Sequence, residues 1–182
     1  MPRNTPIDQI ANRWVETITK LSPSFATGVG SKIGADRLDD FSPEAHANYA
    51  SEAQKVLTEL EQAQATDETD RVTLDAMTAD LSLTIELHEA RLYRRDLNVI
   101  ASPAQGIRDV FDLSPTATIN DWENIASRMS AVGESLAGYQ RSLQTGIAAK
   151  DTPAHRQVVA NIDQALEIAA ADGFFVKFAE SA

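Results

Sequence analysis

Apolar positions recur along this chain with a helical period. From Asp67 to Arg95, at about 100° per residue, Leu74, Met77, Leu81, Ile85, His88 and Leu92 fall on one face. Val72, Ala76, Ala79, Leu83, Leu87 and Ala90 fall on the opposite face. One stripe suits a surface helix; two opposed stripes predict packing on both sides. A helix of this span would be roughly 43 Å long at ~1.5 Å per residue. Shorter helices could lean on it, so the pattern predicts a long central helix at about Asp67–Arg95.

The other segments read as its neighbours. Thr5, Pro6 and Asp8 make a helix start, followed by a stripe of Ile7, Ile10, Trp14, Ile18 and Leu21. Ser22-Pro23 stops it, because the residue before proline is pushed out of the helical region. Pro23 to Phe41 is expected to be a loop. Ser42-Pro43-Glu44 starts a helix with Tyr49, Ala53, Val56 and Leu60 on its stripe, ending near Gln64. The short turn after it makes it an antiparallel neighbour of the long helix. Ser102-Pro103 opens a short helix to about Phe111. Thr118 and Asp121 open another whose stripe keeps phase across Gly133 to Lys150, which favours one bent helix over two. Thr152-Pro153 caps a last helix that Asp172-Gly173 ends. Phe174, Phe175 and Phe178 follow. No alternating strand and no hairpin signature is present. The expected fold is all-α, six or seven helices in one unit over residues 1–182.

Composition narrows the partners. The 182 residues carry 16 basic and 27 acidic side chains, a net charge of −11. Duplex nucleic acid and anionic membrane surfaces would be repelled. No apolar run reaches the ~18 residues of a membrane span. The chain has no cysteine, which removes thiolate chemistry and suits a reducing compartment; with no apolar leader at the N-terminus, a cytoplasmic location is expected. The apolar ending at Phe174, Phe175 and Phe178 calls for a partner surface: the chain itself, a C-terminal region beyond it, another protein, or a second copy.

Little in the residues spells chemistry. Gly28-Val29-Gly30-Ser31-Lys32 lacks the spacer and the preceding strand of a phosphate loop. His88-Glu89 is the start of a zinc-peptidase motif, but Leu92 occupies the place of the second imidazole. His88 is therefore expected as a packed histidine. Glu86 and Glu89 share a helix edge and read as a solvated edge rather than an acid pair. Arg91, Arg94, Arg95 and Arg108, with Asp96 and Asp109, gather around the turn after the long helix. They suit either a carboxylate clamp or local pairing at a helix C-terminus. Arg91, Arg95, Asn98, Ser102 and Arg108 are the candidate ligand-binding residues; no catalytic or metal-binding residue is expected.

Several segments carry a family resemblance. In order they are Pro23-Ser24-Phe25-Ala26-Thr27, Asp36-Arg37-Leu38-Asp39-Asp40-Phe41-Ser42-Pro43-Glu44, Asp70-Arg71-Val72-Thr73-Leu74-Asp75, and Asp96-Leu97-Asn98-Val99-Ile100-Ala101-Ser102-Pro103, followed by Trp122, Arg128, Tyr139 and Leu143. Their order and spacing resemble the N-terminal part of the bacterial domain-of-unknown-function 885 family. The resemblance implies a helical protein similar to zinc metallopeptidases of the thermolysin-like superfamily. It implies zinc only for full-length relatives, in a His-Glu-containing helix later in the chain, with the N-terminal helices walling the substrate cleft. No position here matches a zinc ligand, so no cofactor is expected in this chain. The expectation is thus the N-terminal portion of a larger metallopeptidase-like fold, inactive alone. The alternative is a stand-alone helical binding module.

Overall fold

The computed structural model describes residues 3–180, and among these every regular element is helical. Eight α-helices are present: α1 (Pro6–Leu21), α2 (Pro23–Gly28), α3 (Pro43–Gln62), α4 (Glu68–Glu89), α5 (Pro103–Asp109), α6 (Ile119–Ala149), α7 (His155–Ile168) and α8 (Phe174–Glu180). A single 3-10 turn, Leu92–Arg94, lies between α4 and α5.

The helix starts follow from side-chain caps. Thr5 and Thr118 form capping boxes with Asp8 and Asp121, and Ser42 accepts from the Ala45 amide. Each such cap is worth about 1 kcal/mol. Ser22-Pro23 both ends α1 and starts α2, because Ser22 accepts from the Phe25 amide while Pro23 takes the first helical position. The segment expected as a loop therefore begins with a short helix. α6 runs unbroken through Gly133 for 31 residues.

Two apolar clusters hold the helices. In the first, α1 crosses the antiparallel pair α3–α4. Ile10, Trp14 and Ile18 of α1 pack with Ala53 and Leu60 of α3 and with Leu81 of α4. In the second, Phe111 is 1% exposed and collects the rings of Phe174, Phe175 and Phe178 beside Ile125 and Trp122. The aromatic ending thus packs on its own chain.

The long-helix expectation needs two corrections. α4 stops at Glu89 rather than Arg95, because Arg91 takes a left-handed conformation (φ 58°) that no α-helix continues through. α4 is also a wall rather than a centre. Leu74, Met77, Leu81 and Ile85 face α1 and α3, while the opposite stripe lies open, with Val72 62% and Leu83 51% exposed. Two stripes reported two apolar faces, but among the described residues only one is covered.

Asp70 ties the start of α4 to the start of α1. Its fully buried carboxylate accepts from the Thr66 amide (2.9 Å), the Thr66 hydroxyl (2.6 Å) and the Thr5 hydroxyl (2.8 Å), and pairs with Arg3. These donors, Thr66 foremost, hold its pKa below the usual carboxylate value. A depressed carboxylate gives stability that is present above its unfolded-state pKa and lost as pH falls through the folded one. Asp70→Asn should therefore lower the melting temperature at neutral pH and flatten its acid dependence; thermal melts across an acid pH series check this.

Candidate functional site

The turn after α4 closes a cavity of about 650 Å³ between the end of α4, the start of α3 and the segment before α7. That volume is within the range of small-ligand sites. Its ring-bearing wall is His46, Tyr49, His88 and Tyr93; Leu87, Leu92 and Leu97 add apolar surface, and Arg95, Asp96 and Thr152 sit around the opening. His46 stacks on Tyr93 at 4.8 Å between centroids, and His88 stacks on the same ring at 5.7 Å.

Local folding explains the convergence. α3 and α4 are antiparallel, so a residue early in α3 meets one late in α4. His46 and His88 lie 21 positions either side of Asp67, the N-cap of α4. The left-handed Arg91 then reverses the chain into the 3-10 turn and delivers Tyr93 to both imidazoles.

The following segment is fixed from α6 and α7. Tyr139 donates its hydroxyl to the Asp96 carbonyl at 2.5 Å, and burial pushes that phenol up to about 12. Gln157 accepts from the Val99 amide (3.1 Å) and Gln164 donates to the Val99 carbonyl (3.2 Å). Gln105, which completes the Ser102 capping box, donates to Asn161 and Gln164. The 3-10 turn also presses on α6, where Gly146 leaves no side chain in the way of the Arg94 carbonyl.

The five expected ligand-binding residues are not brought to one place. Arg95 lines the cavity and pairs with Asp151. Arg91 is exposed and serves the chain reversal. Asn98 accepts from the Ile100 and Ala101 amides at 2.9 and 2.8 Å, a local turn contact. Ser102 is a buried cap. Arg108 pairs with Asp109 and Asp112, lies 4.0 Å from the Phe174 ring centroid and faces a different, apolar cavity. His46, Tyr49 and Tyr93 are functional candidates that residue types alone did not single out. The signal available for His46 was its position opposite His88 across the α3–α4 turn.

Zinc, implied only for longer relatives, does not fit these residues. Among the described residues no three His, Cys, Asp or Glu side chains gather as a metal cluster. His88 and His46 are each engaged in stacking on the Tyr93 ring, and Leu92 lines the cavity where a second imidazole would be needed. The His88 Nδ1 is buried without a partner among the described residues.

Burial lowers the pKa of His46, and the neighbouring His88 adds to this against a smaller opposing effect of Asp40. A histidine with a lowered folded-state pKa loses stability as pH falls through its unfolded-state value, since the unfolded chain then binds the proton more readily. Histidine-resolved NMR titration should show His46 titrating below an unperturbed histidine, and stability should begin to fall at higher pH, before native His46 protonates.

No helix among the described residues is long and apolar enough to cross a membrane. No curated protein matches the chain. Residues 23–182 match the family described as bacterial protein of unknown function (DUF885), and the chain belongs to that family.

Proposed function

We propose that this chain is the recognition part of a metallopeptidase-like protein. It holds substrate in the cavity beside the end of α4 and leaves bond cleavage to residues outside it. The observation that carries this reading is the cavity itself: about 650 Å³, with aromatic and apolar walls and the exposed Arg95 and Asp96 among its lining residues. The incomplete His88-Glu89 motif supports the division of labour. The open stripe of α4, Val72 and Leu83 included, supports further polypeptide packing there. The absence of cysteine and the net charge of −11 suit a reducing compartment such as the cytoplasm and make nucleic acid a poor partner.

Elemental analysis and a peptide-hydrolysis assay on the purified chain test this. The expected result is no stoichiometric zinc and no turnover. Zinc at one equivalent together with turnover would contradict it.

A second reading, a stand-alone binding module, is favoured by one observation. Phe174, Phe175 and Phe178 pack on Phe111 of the same chain, so this aromatic group has an internal partner. Sedimentation distinguishes the two: a monodisperse monomer supports the module, and self-association through α4 supports the larger assembly.

A further inference from the structure

The cavity beside α4 discriminates by charge. Among the described residues, its one permanently cationic lining group, Arg95, is already paired with Asp151. The Asp96 carboxylate, exposed at the opening, receives no hydrogen bond or ion pair from any described residue; partial loss of solvent raises its pKa, with no neighbouring charge or donor to oppose that. The acidic surroundings extend further, since Asp40 acts electrostatically on His46 and Asp80 on Tyr49. Burial disfavours a charge on His46, so that imidazole does not offset them. Tyr49, Leu87, Leu92 and Leu97 give the lining an apolar surface on which a hydrocarbon or ring body can pack, while the Tyr93 ring is already stacked by His46 and His88, with the Arg94 guanidinium 5.9 Å from its centroid. The chain as a whole adds a net charge of −11, which steers cations inward.

We infer that this cavity binds a primary ammonium group attached to an apolar or aromatic body, with Asp96 taking the ammonium and the lining of Tyr49, Leu87, Leu92 and Leu97 taking the body. This deepens the recognition reading above and rests on it for the cavity's role. The same ammonium chemistry is offered by a free amine and by the N-terminus of a short peptide. An anionic ligand is the competing outcome. It would have to use Arg95 against Asp151 and approach past Asp96, and both oppose it.

Five probes separate these cases by calorimetry or NMR titration at neutral pH: phenethylamine, phenethyl alcohol, phenylpropionate, and phenylalanyl-glycinamide with a free and with an acetylated N-terminus. Phenethylamine should bind about threefold to fivefold more tightly than phenethyl alcohol, the worth of one exposed ion pair. Asp96→Asn should remove most of that difference and leave the alcohol unaffected. The substitution keeps the backbone carbonyl that Tyr139 holds, so the fold is retained. Tyr93→Leu should weaken every aromatic probe. Tighter binding of the free peptide than of phenethylamine identifies a peptide N-terminus as the source; amine binding without peptide binding identifies a free amine. Phenylpropionate binding as tightly as phenethylamine would overturn the inference, as would an Asp96→Asn variant with unchanged preference. Equal binding of free and acetylated peptides would overturn it while leaving the recognition reading intact. No binding by any probe would overturn both.

Discussion

Arg128→Met should cost about 3–5 kcal/mol of stability and lower the melting temperature by roughly 10 °C. Arg128 is 1% exposed, yet among the described residues it has no ion pair with a carboxylate. Its guanidinium is satisfied instead by neutral oxygens from three segments. Nε donates to the Arg37 carbonyl (3.1 Å), one terminal nitrogen to the Ser114 hydroxyl (2.7 Å), and the other to the Thr27 hydroxyl (2.5 Å) and the Gly34 carbonyl (3.4 Å). Burial lowers its pKa, against smaller opposing effects of Asp39 and Asp36. A hydrogen bond to a charged group is worth about 1.5–3 kcal/mol, and removing the donor leaves buried acceptors unpaired. Methionine restores much of the volume but none of the donors, so packing recovers little. The segment between α2 and α3 would lose its anchor on α6 at Gly34 and Arg37, keeping those from Ser135 to the Asp39 carbonyl and from Ser142 to the Phe41 carbonyl. Thermal and urea unfolding measure the loss, and local proteolysis should concentrate between residues 29 and 41.

Gly146→Ala should also destabilise, by about 1–3 kcal/mol, and should impair ligand binding at the same time. A Cβ there would collide with the Arg94 carbonyl oxygen and come within 2.7 Å of the Asp151 carbonyl oxygen. Both obstacles are backbone, so neither can swing away as a side chain would. Alanine is favoured over glycine within a helix by up to ~1 kcal/mol, which the collision outweighs. The segments that must move carry Arg95 on one side and Thr152 on the other, both at the cavity's opening. Gly133→Ala makes the control: it is also within α6, but its Cβ would meet nothing within 4 Å. Denaturation of both variants, with probe titration, separates the close approach from helix propensity.

Much of the fold was legible in the residues, for physical reasons that can be named. Thr5, Ser42 and Thr118 announced helix starts because an oxygen-bearing cap is needed where amides lack partners. α2 was missed because Ser22-Pro23 performs two tasks at once, ending one helix and capping the next. The early end of α4 was not legible, since an arginine gives no sign of a left-handed backbone; tertiary packing of the 3-10 turn on α6 imposes it. α7 begins at His155 after Ala154, without the side-chain cap that Thr152 suggested. Gly146 and Arg128 show the same limit: their roles depend on segments distant in sequence that meet only after folding.

The candidate site was half legible. The arginines pointed to the turn after α4, and Arg95 is among the residues that line the cavity there. Asn98 and Ser102 instead serve the turn and the α5 cap. The histidine pair required combining two facts, the α3–α4 hairpin and its point of reversal, because neither imidazole is marked by its neighbours in sequence.

On the proposed reading, the turn after α4 builds a recognition cavity rather than a metal centre. Chemical-shift mapping of the chain titrated with phenylalanyl-glycinamide, and separately with zinc, distinguishes the two. Saturable one-to-one shifts centred on His46, Tyr93 and Asp96 are expected with the peptide, and no joint shift of His46 and His88 at one equivalent of zinc. Peptide shifts confined to other surfaces, or a stoichiometric zinc response of both imidazoles, would contradict it.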